Sequence, residues 1–247
     1  MQIHLMYHDV FAHDAIESGF LRERDLPYKM KACAFEEQVK AISEYCSTAC
    51  LSKEHVVFTF DDGGKSFHRI IAPILEKYGY KGLFFITTKY IGANTFLNEA
   101  EIQELHKRGH IIGSHAHTHE HLYSLSDKQL EEEWKLSTEI LSRILGENIK
   151  YASIPNGDIS RRVLDTAQKY GIEHIYTSEP TTKKGDWHGM EIVGRYVLLA
   201  DSSTDYVMSI IISSKKRFEL SCKRILLKLI KSILGGNYVK LKKLLFR

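Results

Sequence analysis

The sequence predicts an α/β protein whose parallel strands close into a barrel, followed by a basic helical tail. Three observations carry that expectation. Short apolar, β-branched or aromatic runs alternate with helical segments of roughly ten to twenty residues, the pattern of parallel βα units. Gly79, Gly109, Gly146 and Gly171 stand where those helical segments stop. The chain has 247 residues, 43% of them hydrophobic and 26% charged, which supports one large core.

In chain order, Ile3–His8 is an apolar strand. Residues 11–34, with Gly19 and Pro27, read as loop, and Phe35–Cys46 has the helical spacing Phe35, Val39, Ile42. Val56–Phe60 is a strand ending at Asp61-Asp62-Gly63-Gly64, and Ser66–Tyr78 is a helix. Gly82–Thr87 is a buried strand, Glu99–Arg108 a helix, and Ile111–Gly113 a short strand entering a histidine-rich segment. Asp127–Leu145 is a long amphipathic helix. Strands at Ile149–Ile154, Ile172–Thr177 and Ile192–Leu199 follow, with a helix at Ser160–Tyr170. Seven such strands fit a barrel better than an open sheet. No glycine-rich phosphate loop follows the first strands, which disfavours a nucleotide-binding fold.

Composition excludes disordered, collagenous and coiled-coil chains. No apolar run reaches the length of about 18 residues that a membrane span needs. The opening MQIHLMYHDV lacks the zones of a secretory signal, so a cytoplasmic start is expected. Cys33, Cys46, Cys50 and Cys222 form no zinc-type pair and read as reduced, incidental thiols. Charge is uneven: residues 215–247 hold eleven Lys or Arg and one acid, Glu219, while the rest carries 23 basic and 30 acidic residues. The division expected is a barrel over residues 1–212 and a basic amphipathic tail over 213–247. In the tail, Leu226, Leu229, Ile230 and Ile233 share one helical face, and Arg224, Lys228 and Lys231 another. Beyond Gly235-Gly236, Leu241, Leu244 and Leu245 alternate with Lys240, Lys243 and Arg247. Such a tail, Lys215–Arg247, suits peripheral contact with a membrane surface, or a partner protein. Nucleic acid is disfavoured, because the tail has few aromatic residues and the remainder is acidic.

Chemistry concentrates at three strand ends, where a parallel barrel keeps its catalytic groups. The adjacent carboxylates Asp61 and Asp62 point apart on an extended chain, so one can bind a metal while the other faces substrate. Next come His110, His115, His117, His119 and His121. His115 and His119, four apart, can face one ion, with His117 directed elsewhere. Two imidazoles and a carboxylate leave open positions on a metal, a catalytic arrangement. The third is Ile154-Pro155-Asn156-Gly157-Asp158, a turn able to present a backbone N–H to an oxyanion.

Together TFDDG (59–63), APILEKYGYKGLFFITTKYIG (72–92), GHIIGSHAHTH (109–119) and IPNGD (154–158) resemble the polysaccharide deacetylases of the NodB-homology type, the family four carbohydrate esterases. The resemblance spans roughly residues 56–200 and implies a distorted (β/α)7 barrel. It also implies that Asp62, His115 and His119 bind a divalent metal, zinc with cobalt or nickel as alternatives. Asp61 matches the general base, and the N–H of Asn156 would help hold the oxyanion. The opening Leu5-Met6-Tyr7-His8 is similar to the N-terminal strand of a permuted poly-N-acetylglucosamine deacetylase subgroup. That likeness makes His8 the expected acid for the leaving amine, since no histidine follows His188.

The chain departs from the family before the Pro-Asn turn. Ser153, Ile154 and Asn156 stand where the family has an arginine and a tyrosine. Arg195 is the expected substitute for orienting the base, with Asp186 as its partner. Trp187 is read as core or as a wall for the acetyl methyl. The implied function is metal-dependent N-deacetylation of an amino-sugar glycan, polymeric, lipid-linked or nascent. The alternatives are an O-acetyl esterase, an amidase on another small acyl substrate, or an inactive glycan-binding barrel. The expected location is cytoplasmic, on the inner membrane face.

Overall fold

A computed structural model describes residues 1–234, with side chains through Ile230. The expected Leu–Lys alternation beyond Gly235 lies outside these residues. Strand β1 (Ile3–Tyr7) opens the chain, and β2 (Val10–Phe11) pairs with β3 (Met30–Lys31) around residues 12–29. There follow α1 (Ala32–Thr48), β4 (Val56–Phe60), a wide helical turn at Phe67–Ile71 entering α2 (Ala72–Lys77), β5 (Gly82–Ile86) and α3 (Glu99–Lys107). Then come β6 (Ile111–Ser114), α4 (Asp127–Leu145), β7 (Tyr151–Ser153), α5 (Arg161–Lys169) and β8 (His174–Tyr176). The chain continues through β9 (Gly185–Trp187), β10 (Met190–Val193), β11 (Tyr196–Val197), α6 (Thr204–Ile212) and α7 (Ser214–Leu234). No helix among the described residues is long and apolar enough to cross a membrane.

The helices end where local chemistry ends them. Ser126 and Gln129 form a reciprocal capping box that starts α4, and Gly146, at φ 75°, stops it. Asn98 and Glu101 do the same at the start of α3. The helix expected over 66–78 is split. Pro73 has no N–H for the Arg69 carbonyl and its ring would clash there, so the chain takes a wider turn through Phe67–Ile71 first.

The main sheet runs β11-β1-β4-β5-β6-β7-β8-β10-β9, parallel except for the β9–β10 hairpin. It curls, because one stretch of chain meets both of its ends. Residues 190–193 pair with β8, whereas 196–197 pair with β1. The single strand expected at Ile192–Leu199 is therefore broken at Gly194-Arg195, and the break carries the chain across the gap. The β9 strand and helix α6 were not legible as elements; β9 has only three residues, two of them exposed.

Period-two alternation then sorts the side chains onto two faces. Outward residues such as Phe58, Phe60 and Phe84 join one core with Phe35, Leu75, Leu105 and Trp134 from the helices. Inward residues Leu83, Phe85, Tyr176 and Val193 form a second, smaller cluster. Both faces are covered, which is why the strands read as nearly continuous apolar runs.

Gly194 is required where the strand crosses. A Cβ there would lie 2.5 Å from the Glu179 carbonyl oxygen and 2.7 Å from that of Thr181. Backbone cannot yield as a side-chain tip can. Gly194→Ala is expected to lower stability by about 1–3 kcal/mol, as overpacking does. Thermal unfolding checks this, and a variant as stable as the parent would refute the close-packed crossing.

Candidate metal centre and its cleft

Thr59 and Asp61 occupy alternate positions at the end of β4, and the same parity turns Ser153 and Arg195 toward them. The result is a buried knot. Arg195 Nη1 donates to Asp61 Oδ1 at 2.6 Å and to Thr59 Oγ1 at 3.1 Å. Its Nη2 donates to Asp61 Oδ2 at 2.8 Å and to Ser153 Oγ at 2.6 Å, and Nε donates to the Thr177 carbonyl. All five guanidinium donors are thus used. Arg195 and Asp61 are both fully buried. Burial alone would raise the Asp61 pKa, but the Arg195 charge outweighs it and holds the carboxyl below its usual value. Ser153 Oγ also donates to Asp61 Oδ2 at 3.0 Å. Arg195 therefore has Asp61 as its partner. The pairing expected with Asp186 is not formed: Asp186 lies on exposed β9, where its side chain accepts from Gly189 N.

Asp62 turns the other way, at φ 87°. Single ligand atoms of Asp62, His115 and His119 all lie within 4.8 Å of one another. Nε2 of His119 is 3.2 Å and Nε2 of His115 is 3.5 Å from Asp62 Oδ1. The two histidines do not meet through a helical face. Ala116 (φ 58°) and His119 (φ 66°) are left-handed, and this turn brings the rings to 5.1 Å. Buried Glu133 of α4 pins the turn, accepting from the N–H groups of His117 and Thr118 and from Thr118 Oγ1. Four non-glycine residues at positive φ, namely Asp62, Ala116, His119 and Asn156, thus gather at one place. Such strain persists where the surroundings fix it, and functional sites are where it collects.

The donor set fits a divalent cation. His115 Nδ1 sits 3.0 Å from the Ser153 carbonyl, which only accepts, so the proton is on Nδ1 and the Nε2 lone pair faces Asp62. Burial lowers the His115 pKa to about 4, keeping the ring neutral as a ligand must be. Asp62 Oδ1 is buried and makes no hydrogen bond. Burial pushes its carboxyl up, while the His119 and His8 imidazoles bring it well below the ordinary value. His119 feels burial first, which lowers its pKa, but the Asp62 carboxylate beside it raises it on balance. Asp62, His115 and His119 would hold the ion.

The other histidines of the cluster have separate partners. His110 Nδ1 accepts from Gly82 N and its Nε2 meets Glu76. His117 meets Thr88, and His121 meets Asp158 at 2.9 Å.

A cleft of about 830 Å³ opens over Asp61, Asp62, His115 and His119. His8 and Asn156 both line it. The His8 ring lies 4.6 Å from that of Tyr28, with Nδ1 buried and without a hydrogen bond. The Asn156 side chain donates to the His119 carbonyl at 3.4 Å. Trp187 lies away from the cleft and donates through Nε1 to Asp165, so it is no wall for an acetyl methyl.

Two walls come from segments that the sequence did not tie to the site. Phe20, Arg24 and Tyr28 belong to residues 12–29. That loop is latched by Asp9, which accepts from Ser18 and Ser66, and by Lys29, which donates to the Ala15 and Ser18 carbonyls. Arg224, Leu227 and Lys228 belong to α7.

The family model for polysaccharide deacetylase matches residues 48–175, 128 of the 247 residues. The chain belongs to the polysaccharide deacetylase family. YxkH of Bacillus subtilis is 30% identical over 135 residues, covering 55% of this chain and 48% of that one. The poly-beta-1,6-N-acetyl-D-glucosamine N-deacetylase of Staphylococcus aureus is 25% identical over 215 residues, 80% of this chain and 72% of that one. The Streptococcus pyogenes deacetylase PplD in complex with acetate superposes with a TM-score of 0.69 at 20% identity, over 86% of this chain and 98% of that one, a likeness of fold. The chain spans about half the length of the first curated relatives it matches.

Proposed function

We propose that this chain is a metal-dependent hydrolase that removes N-acetyl groups from an amino-sugar glycan. The observation that carries the proposal is the Asp62–His115–His119 triad set beside an arginine-held Asp61 at the floor of a cleft, in a chain of this family. The name of the Staphylococcus aureus relative supports N-acetylglucosamine as the sugar.

Bound at the triad, a divalent ion, best zinc by its two imidazoles and one carboxylate, would polarise the acyl carbonyl and lower the pKa of water. Asp61 takes the proton of the attacking water. Its low pKa keeps it ionised, and Arg195 with Ser153 keeps its carboxylate in one orientation. The backbone N–H of Asn156 faces the oxyanion. His8, across the cleft, protonates the nitrogen as the C–N bond breaks, giving acetate and a free amine. The proposal also places the basic residues 215–247 at a membrane surface. The negative potential of a cytoplasmic leaflet complements them, so the cytoplasmic side remains part of it.

The test is acetate release from N-acetylglucosamine oligomers by protein stripped with chelator and resupplied with zinc, cobalt or nickel. Stripping is expected to remove at least about 99% of turnover, since a Lewis acid contributes several kcal/mol to such a barrier, and metal is expected to restore it. Protein that binds none of these metals would overturn the reading.

A further inference from the structure

Helix α7 turns Arg217, Arg224 and Lys228 toward the protein beside Leu220 and Leu227, and leaves a second apolar stripe facing outward. Arg224 and Lys228 pair with Glu179 at 3.0 and 2.8 Å, Ser221 Oγ donates to the Pro180 carbonyl, and Arg217 donates to the carbonyls of Ile210 and Ile211. These contacts clamp the helix along the cleft, where Arg224, Leu227 and Lys228 become wall. Phe218, Ile225, Leu226 and Leu229 fall on the opposite face and are 56–69% exposed. A helix that only covers a core leaves no such apolar stripe in water.

The residues bordering the stripe say what covers it. Lys215 and Lys223 are exposed beside the apolar side chains, with one acid, Glu219, among them, so the border is basic on balance. An anionic bilayer matches both parts: acyl chains take the Phe, Leu and Ile side chains, and lipid phosphates take the lysines. Each lysine near such a surface strengthens partitioning roughly fivefold. A second copy of this chain matches less well, because it would bring two lysine-bordered stripes together. Residues 235–247 carry four more basic residues and no acid, charge of the sign an anionic surface attracts.

We infer that α7 seats the mouth of the cleft on an anionic bilayer, and that the substrate is an amino-sugar saccharide carried on a lipid anchor. The substrate half rests on the deacetylase reading above; the docking half does not. One helix separates the two surfaces, so cleft and bilayer lie about 10–12 Å apart.

The experiment uses the full chain with phosphatidylcholine vesicles, with and without phosphatidylglycerol. The parent is expected to co-sediment with the anionic vesicles. The double variant Phe218→Ser/Leu229→Ser is expected to bind at least about tenfold more weakly, as loss of two buried apolar side chains requires. Its acetate release from soluble oligomers should match the parent, while release from a vesicle-tethered N-acetylglucosamine oligomer falls at least about tenfold, following the lost binding. A parent that ignores anionic vesicles overturns the inference. So does a parent dimer that the double variant dissolves, or binding lost on deleting 235–247 yet kept by the double variant. Vesicle binding without acetate release from any oligomer would sink the deacetylase reading and leave the docking intact.

Discussion

Asp61→Asn is expected to cut acetate release by about 10²–10⁴-fold while the protein keeps its metal. The two neighbouring carboxylates have been divided by the backbone. Asp62, at φ 87°, faces His115 and His119, whereas Asp61 faces Arg195 and Ser153. The amide of the variant still accepts from Arg195 through its oxygen, so the knot keeps part of its shape. It no longer takes a proton, which is the role assigned to Asp61. His119→Ala is the contrasting variant. It removes one of three donors, and the bound metal should fall with the activity. Metal content by elemental analysis, read beside turnover, separates the two. Similar metal content in both variants would refute the division of roles. Asp61→Asn also leaves the Arg195 charge without its carboxylate, so both measurements belong at a temperature where circular dichroism shows the variant folded.

What could be read from the sequence was what short motifs hold together. Asp61-Asp62, His115 and His119 each lie just beyond an apolar strand, and strand ends at one rim of a parallel sheet meet in space. Support arriving from far along the chain was harder to read. Arg195, 134 residues from Asp61, was expected to orient the base but with Asp186 as its partner, and Glu133 hides in the repeating pattern of α4 as one acid among several. The only signal for Glu133 was burial of a charged residue, which a helical wheel hints at and packing decides. The loop over residues 12–29 looked unstructured because its order comes from buried polar contacts, Asp9 with Ser18 and Ser66, rather than from periodic apolar positions. Helix α7 shows the opposite limit. The sequence put Leu226 and Leu229 on one face and Arg224 and Lys228 on another, but amphipathicity does not say which face turns toward the protein. Glu179 decides it, by pairing with Arg224 and Lys228.

The largest loss of stability is expected from Arg195→Met, about 3–5 kcal/mol, because removing one member of a buried pair strands the other. Asp61 would keep its full burial with only Ser153 Oγ left as a donor at 3.0 Å, and Thr177 and Thr59 would lose a partner each. Arg195→Lys should recover only part of this. A lysine restores the charge but cannot present the planar fork that binds both oxygens of Asp61 while reaching Ser153. The double variant Asp61→Asn/Arg195→Met provides the decisive comparison. With both charges gone it should be more stable than Arg195→Met alone, since no ion is left buried without a partner. Urea denaturation of the four proteins closes the cycle. In the proposed reaction Arg195 holds Asp61 toward the attacking water, so Arg195→Lys is expected to regain activity together with stability. A cycle in which the two substitutions simply add would mean that Arg195 and Asp61 are not coupled, and Arg195 would lose its assignment as the residue that positions the base.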